Sequence, residues 1–129
     1  MKRQLDIATI VLTLLLLLGF AVLSFRGLLD PQQASARFGE PVADSAGALF
    51  YRVYLSRNLA IAASGAIFLL ARQWMPLAIL LTVTAVLPVF DMSVLWLNGV
   101  TPPLFHPLAL ALLALASALL WRRVRRPEP

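Results

Sequence analysis

The sequence predicts an all-α integral membrane protein, a four-helix bundle in which residues 1–129 form a single membrane domain. Two observations lead to this prediction. Hydrophobic residues make up 60% of the chain and charged residues 13%, whereas soluble domains usually have about 45–50% and about 25%. The hydrophobic residues also occur in blocks of roughly 20, the length of an α-helix that crosses the ~30 Å hydrocarbon core.

The first predicted span is residues 7–25, which contain no charged side chain. A cleaved signal peptide is the alternative, because Lys2 and Arg3 precede the apolar run and residues 34–36 (Ala-Ser-Ala) resemble a cleavage site. Secretory apolar regions are only about 7–15 residues long and are cleaved close behind their end. We therefore expect the first helix to be retained.

The second predicted span, residues 49–71, contains a charged side chain. Only fourteen uncharged residues separate Arg57 from Arg72, and they would form about 21 Å of helix, too little to cross the hydrocarbon core. The span must therefore extend back through Arg57. This places Arg57 inside the membrane.

The third and fourth predicted spans are residues 76–98, which contain Asp91, and residues 104–121, which have His106 in their first turn. The connections between spans two, three and four are short and rich in helix-breaking residues. Short connections make successive helices antiparallel neighbours.

One longer outer loop, residues 26–48, joins the first two spans. Asp30 followed by Pro31 is typical of a helix start, and Gly39 is placed to end a short helix. We expect this helix to lie at the membrane interface with Phe38 on the membrane surface. A lid over a ligand is the alternative.

Basic residues predict the orientation. Seven of them fall on one side of the membrane: Lys2, Arg3, Arg72, Arg122, Arg123, Arg125 and Arg126. Only Arg26 and Arg37 fall in the opposite loop. By the positive-inside rule, both termini of this cell-membrane protein should be cytoplasmic, with residues 122–129 as a basic cytoplasmic tail. Because the tail directly follows an apolar helix, we expect it to contact anionic lipid headgroups and not nucleic acid.

Three ionisable side chains on successive spans, Arg57, Asp91 and His106, fall in the outer half of the predicted bundle. An unpaired charge at such a depth costs about 2.5–3.5 kcal/mol on insertion scales. We therefore predict an Arg57–Asp91 ion pair that faces the bundle interior, with His106 close to Asp91. Residue counting leaves open whether this pair is structural or functional.

A polar pocket is predicted at the same level. Pro88 cannot donate a hydrogen bond to the carbonyl of Thr84, and a free carbonyl at membrane depth must face protein or a water-filled cavity. The pocket should open to the outer side between spans two, three and four. Its candidate lining residues are Tyr54, Arg57, Asn58, Thr84, Asp91 and His106.

Several short motifs resemble one family of small four-helix membrane proteins, domain-of-unknown-function family 4267. The motifs are Gly27-Leu28-Leu29-Asp30-Pro31, Phe38-Gly39, Arg57-Asn58, Pro88-Val89-Phe90-Asp91 and His106. The resemblance covers nearly the whole chain and implies a four-helix membrane bundle without implying an activity. In that family an aspartate typically follows the arginine, where this chain has Asn58, so a proton-transfer role at this position is in doubt.

The residues favour binding over catalysis. The chain has no cysteine, which excludes disulfides and thiol redox chemistry, and one histidine with one buried aspartate makes a poor metal site. No cofactor is expected. The favoured function is binding of a small amphiphile, a lipid or a partner helix in the outer pocket. A small proton-coupled transporter acting as a homo-oligomer is the alternative, and an enzyme using His106 and Asp91 comes last, because no nucleophile or metal completes its site.

Overall fold

The computed structural model describes residues 2–125, with side chains from Asp6 onward. Arg126 and the rest of the predicted tail lie outside the described residues, as do the side chains of Lys2 and Arg3. Six α-helices make up the described chain: α1 (Lys2–Leu29), α2 (Pro31–Phe38), α3 (Ser45–Leu70), α4 (Trp74–Thr84), α5 (Val86–Leu97) and α6 (Phe105–Val124).

Four long helices form the bundle, counting α4 and α5 as two halves of one. Each is long and apolar enough to cross a membrane, which confirms the predicted all-α four-helix membrane fold. α1 packs along α3, and α4 and α5 pack along α6. Contacts of α3 with α4 and of α1 with α6 complete the ring. Successive spans are therefore neighbours, as their short connections predict.

The two ends of the bundle differ. We call the end that carries Arg72 and Arg123 the basic end, and the end that carries α2 and residues 98–104 the loop end. The main hydrophobic core belongs to the basic-end half, and its buried members are Leu17, Leu77, Ala78, Leu81, Leu113, Ala116 and Leu120. In the loop-end half, by contrast, space remains between the helices.

Polar contacts between helices close the basic end. Arg123 Nη1 lies 3.1 Å from Asp6 Oδ1, and the Arg123 guanidinium lies 4.0 Å from the centre of the Trp74 ring. Trp121 Nε1 donates a hydrogen bond to Thr82 Oγ1 at 2.9 Å. These contacts join α1, α4 and α6 in the basic-end half of the bundle.

The short helix α2 forms where its sequence signals predict. The Asp30 side chain accepts a hydrogen bond from the Gln33 N–H at 2.9 Å, which satisfies one of the free N–H groups of the first turn. Gly39 ends the helix with φ of 135°, a value that residues with a Cβ rarely adopt. The side chain of Phe38 does not point outward, however. It is half-buried against the bundle, in contact with Tyr54 and His106.

The third span is interrupted at Ala85, between α4 and α5. Pro88 lies in the first turn of α5, where a missing N–H removes no helical hydrogen bond. The interruption lies beside Thr84, which is buried. It therefore occurs at the level where the core ends and the space between the helices begins.

Candidate ligand-binding site

A cleft of about 770 Å³ lies between the helices in the loop-end half of the bundle. Small-molecule sites typically measure about 300–1,000 Å³ and are mostly apolar. Much of the wall is hydrophobic, including Leu15, Leu16, Phe20, Leu23, Ile61 and Leu112. All six helices contribute to the lining, including α1 and α2, which the sequence did not place at the pocket.

A small set of polar side chains lines the cleft as well. Five of the six predicted residues are among them: Tyr54, Asn58, Thr84, Asp91 and His106. Tyr51 also lines the cleft, although it was not among the predicted lining residues. These six polar side chains come from α3, the third span and α6.

His106 has a defined role in this geometry. Its side chain is 1% exposed, and Nε2 lies 2.9 Å from the backbone oxygen of Phe38. A carbonyl oxygen only accepts hydrogen bonds, so Nε2 must carry the proton. Nδ1 lies 3.8 Å from Asp91 Oδ2, which is too long for a direct hydrogen bond. In the neutral ring, Nδ1 can therefore accept a proton or a hydrogen bond from a group bound between it and Asp91.

Aromatic side chains surround Phe38 at the loop end. Its ring meets those of Tyr51 and Tyr54 edge-on, with centroids 6.5 and 6.2 Å apart. It also meets the ring of His106 edge-on at 4.8 Å, and the ring of Phe105 lies 6.4 Å away. Because these residues belong to α2, α3 and α6, the cluster connects three elements at the loop end of the cleft.

Arg57 is the predicted site residue that the structure places elsewhere. Asn58 is 5% exposed and faces the cleft, and one residue along an α-helix corresponds to a turn of about 100°. The Arg57 side chain is accordingly exposed on the surface of α3. Among the described residues Asp91 is in ion-pair reach of His106, and Arg57 has no ion-pair partner. The structure does not bring Arg57 and Asp91 together.

Charged and polar side chains line the cleft where α1 ends and α2 begins. They are Arg26, Asp30, Gln33 and Arg37. Sequence reasoning used the two arginines only to predict orientation. The helix-start signal at Asp30 and the stop at Gly39 could have indicated that Gln33 and Arg37 share one short helix beside the end of α1. A lid over a ligand was only the alternative prediction for this loop, and the structure places α2 at the lining of the cleft.

The fold and the cleft define a multi-pass α-helical membrane protein with a largely apolar internal cleft. The chain belongs to the family described as Domain of unknown function (DUF4267), which matches residues 17–120. The match includes Tyr51, Asp91 and His106, and it confirms the resemblance seen in the sequence. No curated protein and no solved structure matches the chain.

Proposed function

We propose that the protein binds the apolar chain of a lipid or another small amphiphile in the cleft between its helices. The observation that carries this proposal is the combination of a 770 Å³ space, hydrophobic walls and a few polar groups concentrated toward one end. Apolar walls accommodate a hydrocarbon chain, and a few placed polar groups orient a ligand. An amphiphile has the same division between an apolar and a polar part.

The length of the cleft supports a chain-shaped ligand. The cleft follows α1 from Leu15 to Leu29, which is about 21 Å at ~1.5 Å per residue. One leaflet contributes about half of the ~30 Å hydrocarbon core, or ~15 Å. A single acyl chain of leaflet length would therefore fit along α1, with its polar headgroup at the loop end.

The polar groups then have distinct roles in the proposal. Arg26 and Arg37 would lie beside the headgroup, while Asn58 and the Asp91–His106 pair offer hydrogen bonds deeper in the cleft. In the orientation that the basic residues predict, both termini are cytoplasmic and the headgroup lies at the outer membrane surface.

Filling the cleft tests the proposal. Ala109 lines the cleft, whereas Ala111 on the same helix is exposed and outside it. We expect Ala109→Phe to reduce photolabelling of the protein by a diazirine-bearing palmitic acid about tenfold in phosphatidylcholine vesicles, equivalent to about 1.4 kcal/mol of binding free energy. Ala111→Phe should leave labelling unchanged. Equal labelling of the wild type and both variants would mean that the probe binds outside the cleft.

Proton-coupled transport is a second candidate, favoured by the placement of Asp91 and His106 inside the cleft. A carboxylate and an imidazole within reach of each other can pass a proton, and ionisable groups inside a membrane often form proton relays. In vesicles that contain a pH-sensitive dye, the wild type should dissipate an imposed pH gradient faster than Asp91→Asn. Equal rates would argue against this candidate.

A further inference from the structure

We propose that the outward face of α3 around Arg57 binds a transmembrane helix of a partner protein through a carboxylate on that helix. Arg57 lies about 18 Å from the start of α3 at Ser45 and about 20 Å from its end at Leu70, at ~1.5 Å per residue. It is therefore near the middle of a helix that spans the membrane. Its side chain is exposed.

The Arg57 side chain lies on the face of α3 that points away from the other helices of the bundle. Leu55, Asn58 and Ala62 are buried and mark the face of α3 that packs against the other helices. Val53 and Ile67, which are 43% and 62% exposed, share the outward face with Arg57. In a single copy of the protein, the guanidinium would therefore face lipid.

The residues around Arg57 form a seam suited to a second helix. Val53, Arg57, Ala60, Ser64 and Ile67 follow one another at alternating spacings of four and three, the pattern of a helix–helix contact seam. Ala60 and Ser64 are small enough to let another backbone approach closely. The Ser64 hydroxyl donates to the carbonyl of Ala60 at 2.9 Å, so it is already satisfied within α3.

The charge of Arg57 specifies what the second helix must carry. Charged residues inside a membrane almost always pair with an opposite charge or face a water-filled cavity. Within the described chain the carboxylates lie elsewhere: Asp6 pairs with Arg123, Asp91 faces His106, Asp30 and Asp44 cap helices, and Glu40 lies between α2 and α3. A second copy packed symmetrically on α3 would bring another arginine and not an acid. The geometry points to a different protein with an acidic residue near the middle of its span.

A designed peptide tests this inference directly. A polyleucine transmembrane peptide with one central glutamate, and a matched peptide with glutamine, are added to the protein in phosphatidylcholine vesicles. Because the chain has no cysteine, Gln73→Cys provides a single dye site at the end of α3 for energy transfer to a labelled peptide. We expect the wild type to bind the glutamate peptide about tenfold more tightly than the glutamine peptide, the scale of one interhelical hydrogen bond in a membrane.

Variants assign the binding to Arg57. Arg57→Leu should lose the preference for glutamate, and Arg57→Glu should instead prefer a peptide with a central lysine. Arg52→Gln is the matched control, since Arg52 is exposed on the same helix and donates a hydrogen bond to the carbonyl of Leu28. This variant should behave like the wild type.

Two results would overturn the inference. The first is that the wild type binds both peptides equally, which is expected if the Arg57 side chain extends to the headgroups. The second is energy transfer between two labelled copies of the protein, if Arg57→Leu abolishes that transfer. Because Arg57 lies outside the cleft, neither result depends on ligand binding there.

Discussion

His106 joins three elements of the protein at the loop end. It lies in the first turn of α6, donates a hydrogen bond through Nε2 to the carbonyl of Phe38 at the end of α2, and faces Asp91 of α5 through Nδ1. This single residue therefore couples the covering helix to the acidic group in the cleft. The sequence indicated that His106 and Asp91 lie at the same depth. It did not indicate the bond to Phe38, because nothing local connects residues that are 68 positions apart.

A double-mutant cycle distinguishes the observed pair from the predicted one. The alanine variants of Asp91 and His106 should be non-additive by about 0.5 kcal/mol or more, since residues in contact show interaction energies of this size. The alanine variants of Asp91 and Arg57 should add within about 0.5 kcal/mol, as expected for sites that share no partner. The free energy of unfolding in detergent is the measurement. Strong coupling between Arg57 and Asp91 would contradict the orientation of Arg57.

Two reciprocal leucine–glycine contacts join the helices α1 and α3. Leu17 of α1 fills the space beside Gly65, and Leu55 of α3 fills the space beside Gly27. Both leucines are 5% exposed. A Cβ at either glycine would collide with a leucine methyl group unless the leucine moved. Small residues at helix contacts let membrane helices pack closely, so these two pairs set the spacing between α1 and α3.

Exchanging large and small residues tests this packing. Gly65→Leu should lower the free energy of unfolding by about 1–3 kcal/mol, the usual cost of overpacking. Adding Leu17→Ala should recover part of that loss by vacating the space. Gly19→Leu is the control on α1, because no atom beyond the adjoining residues and backbone of α1 lies within 4 Å of the position of its Cβ among the described residues. If Gly65→Leu and Gly19→Leu lowered the free energy of unfolding equally, close packing at Gly65 would not be the cause of the loss.

The whole molecule is asymmetric between its ends. The basic end is closed by the hydrophobic core and by the contacts of Arg123 with Asp6 and Trp74. The loop end holds the cleft, with α2 over it. In the proposed function, the headgroup of the ligand lies at the loop end. The orientation of the protein therefore decides which membrane surface the headgroup faces.

Cysteine labelling tests the predicted orientation. Single cysteines at Glu40, in the connection from α2 to α3, and at Gln73, in the turn from α3 to α4, lie at opposite ends of the bundle. With cytoplasmic termini, a membrane-impermeant maleimide should label Glu40→Cys in intact cells and Gln73→Cys only after permeabilisation. The wild type has no cysteine and serves as the unlabelled control. The reverse pattern would place the loop end in the cytoplasm.

The sequence by itself determined the membrane class, the four spans and the short helix. Each depends on information that is local in the chain: the length of an apolar run, the breaker residues between runs, and the start and stop signals at Asp30 and Gly39. The depth of each residue in the membrane could also be predicted, because counting residues gives the position along a helix axis. This is why five of the six predicted site residues line the cleft, among them Asp91 and His106.

Only the tertiary structure decided which way each helix faces. The spans are apolar on most of their surface, so they lack the polar face that shows the orientation of a soluble amphipathic helix. Counting placed Arg57 at the right level, but packing of Asn58 toward the cleft turned Arg57 outward. Packing likewise brought α1 to the cleft and turned Phe38 of α2 inward. Rotation about a helix axis is determined by contacts between helices distant in sequence, and the order of residues within one helix does not record them.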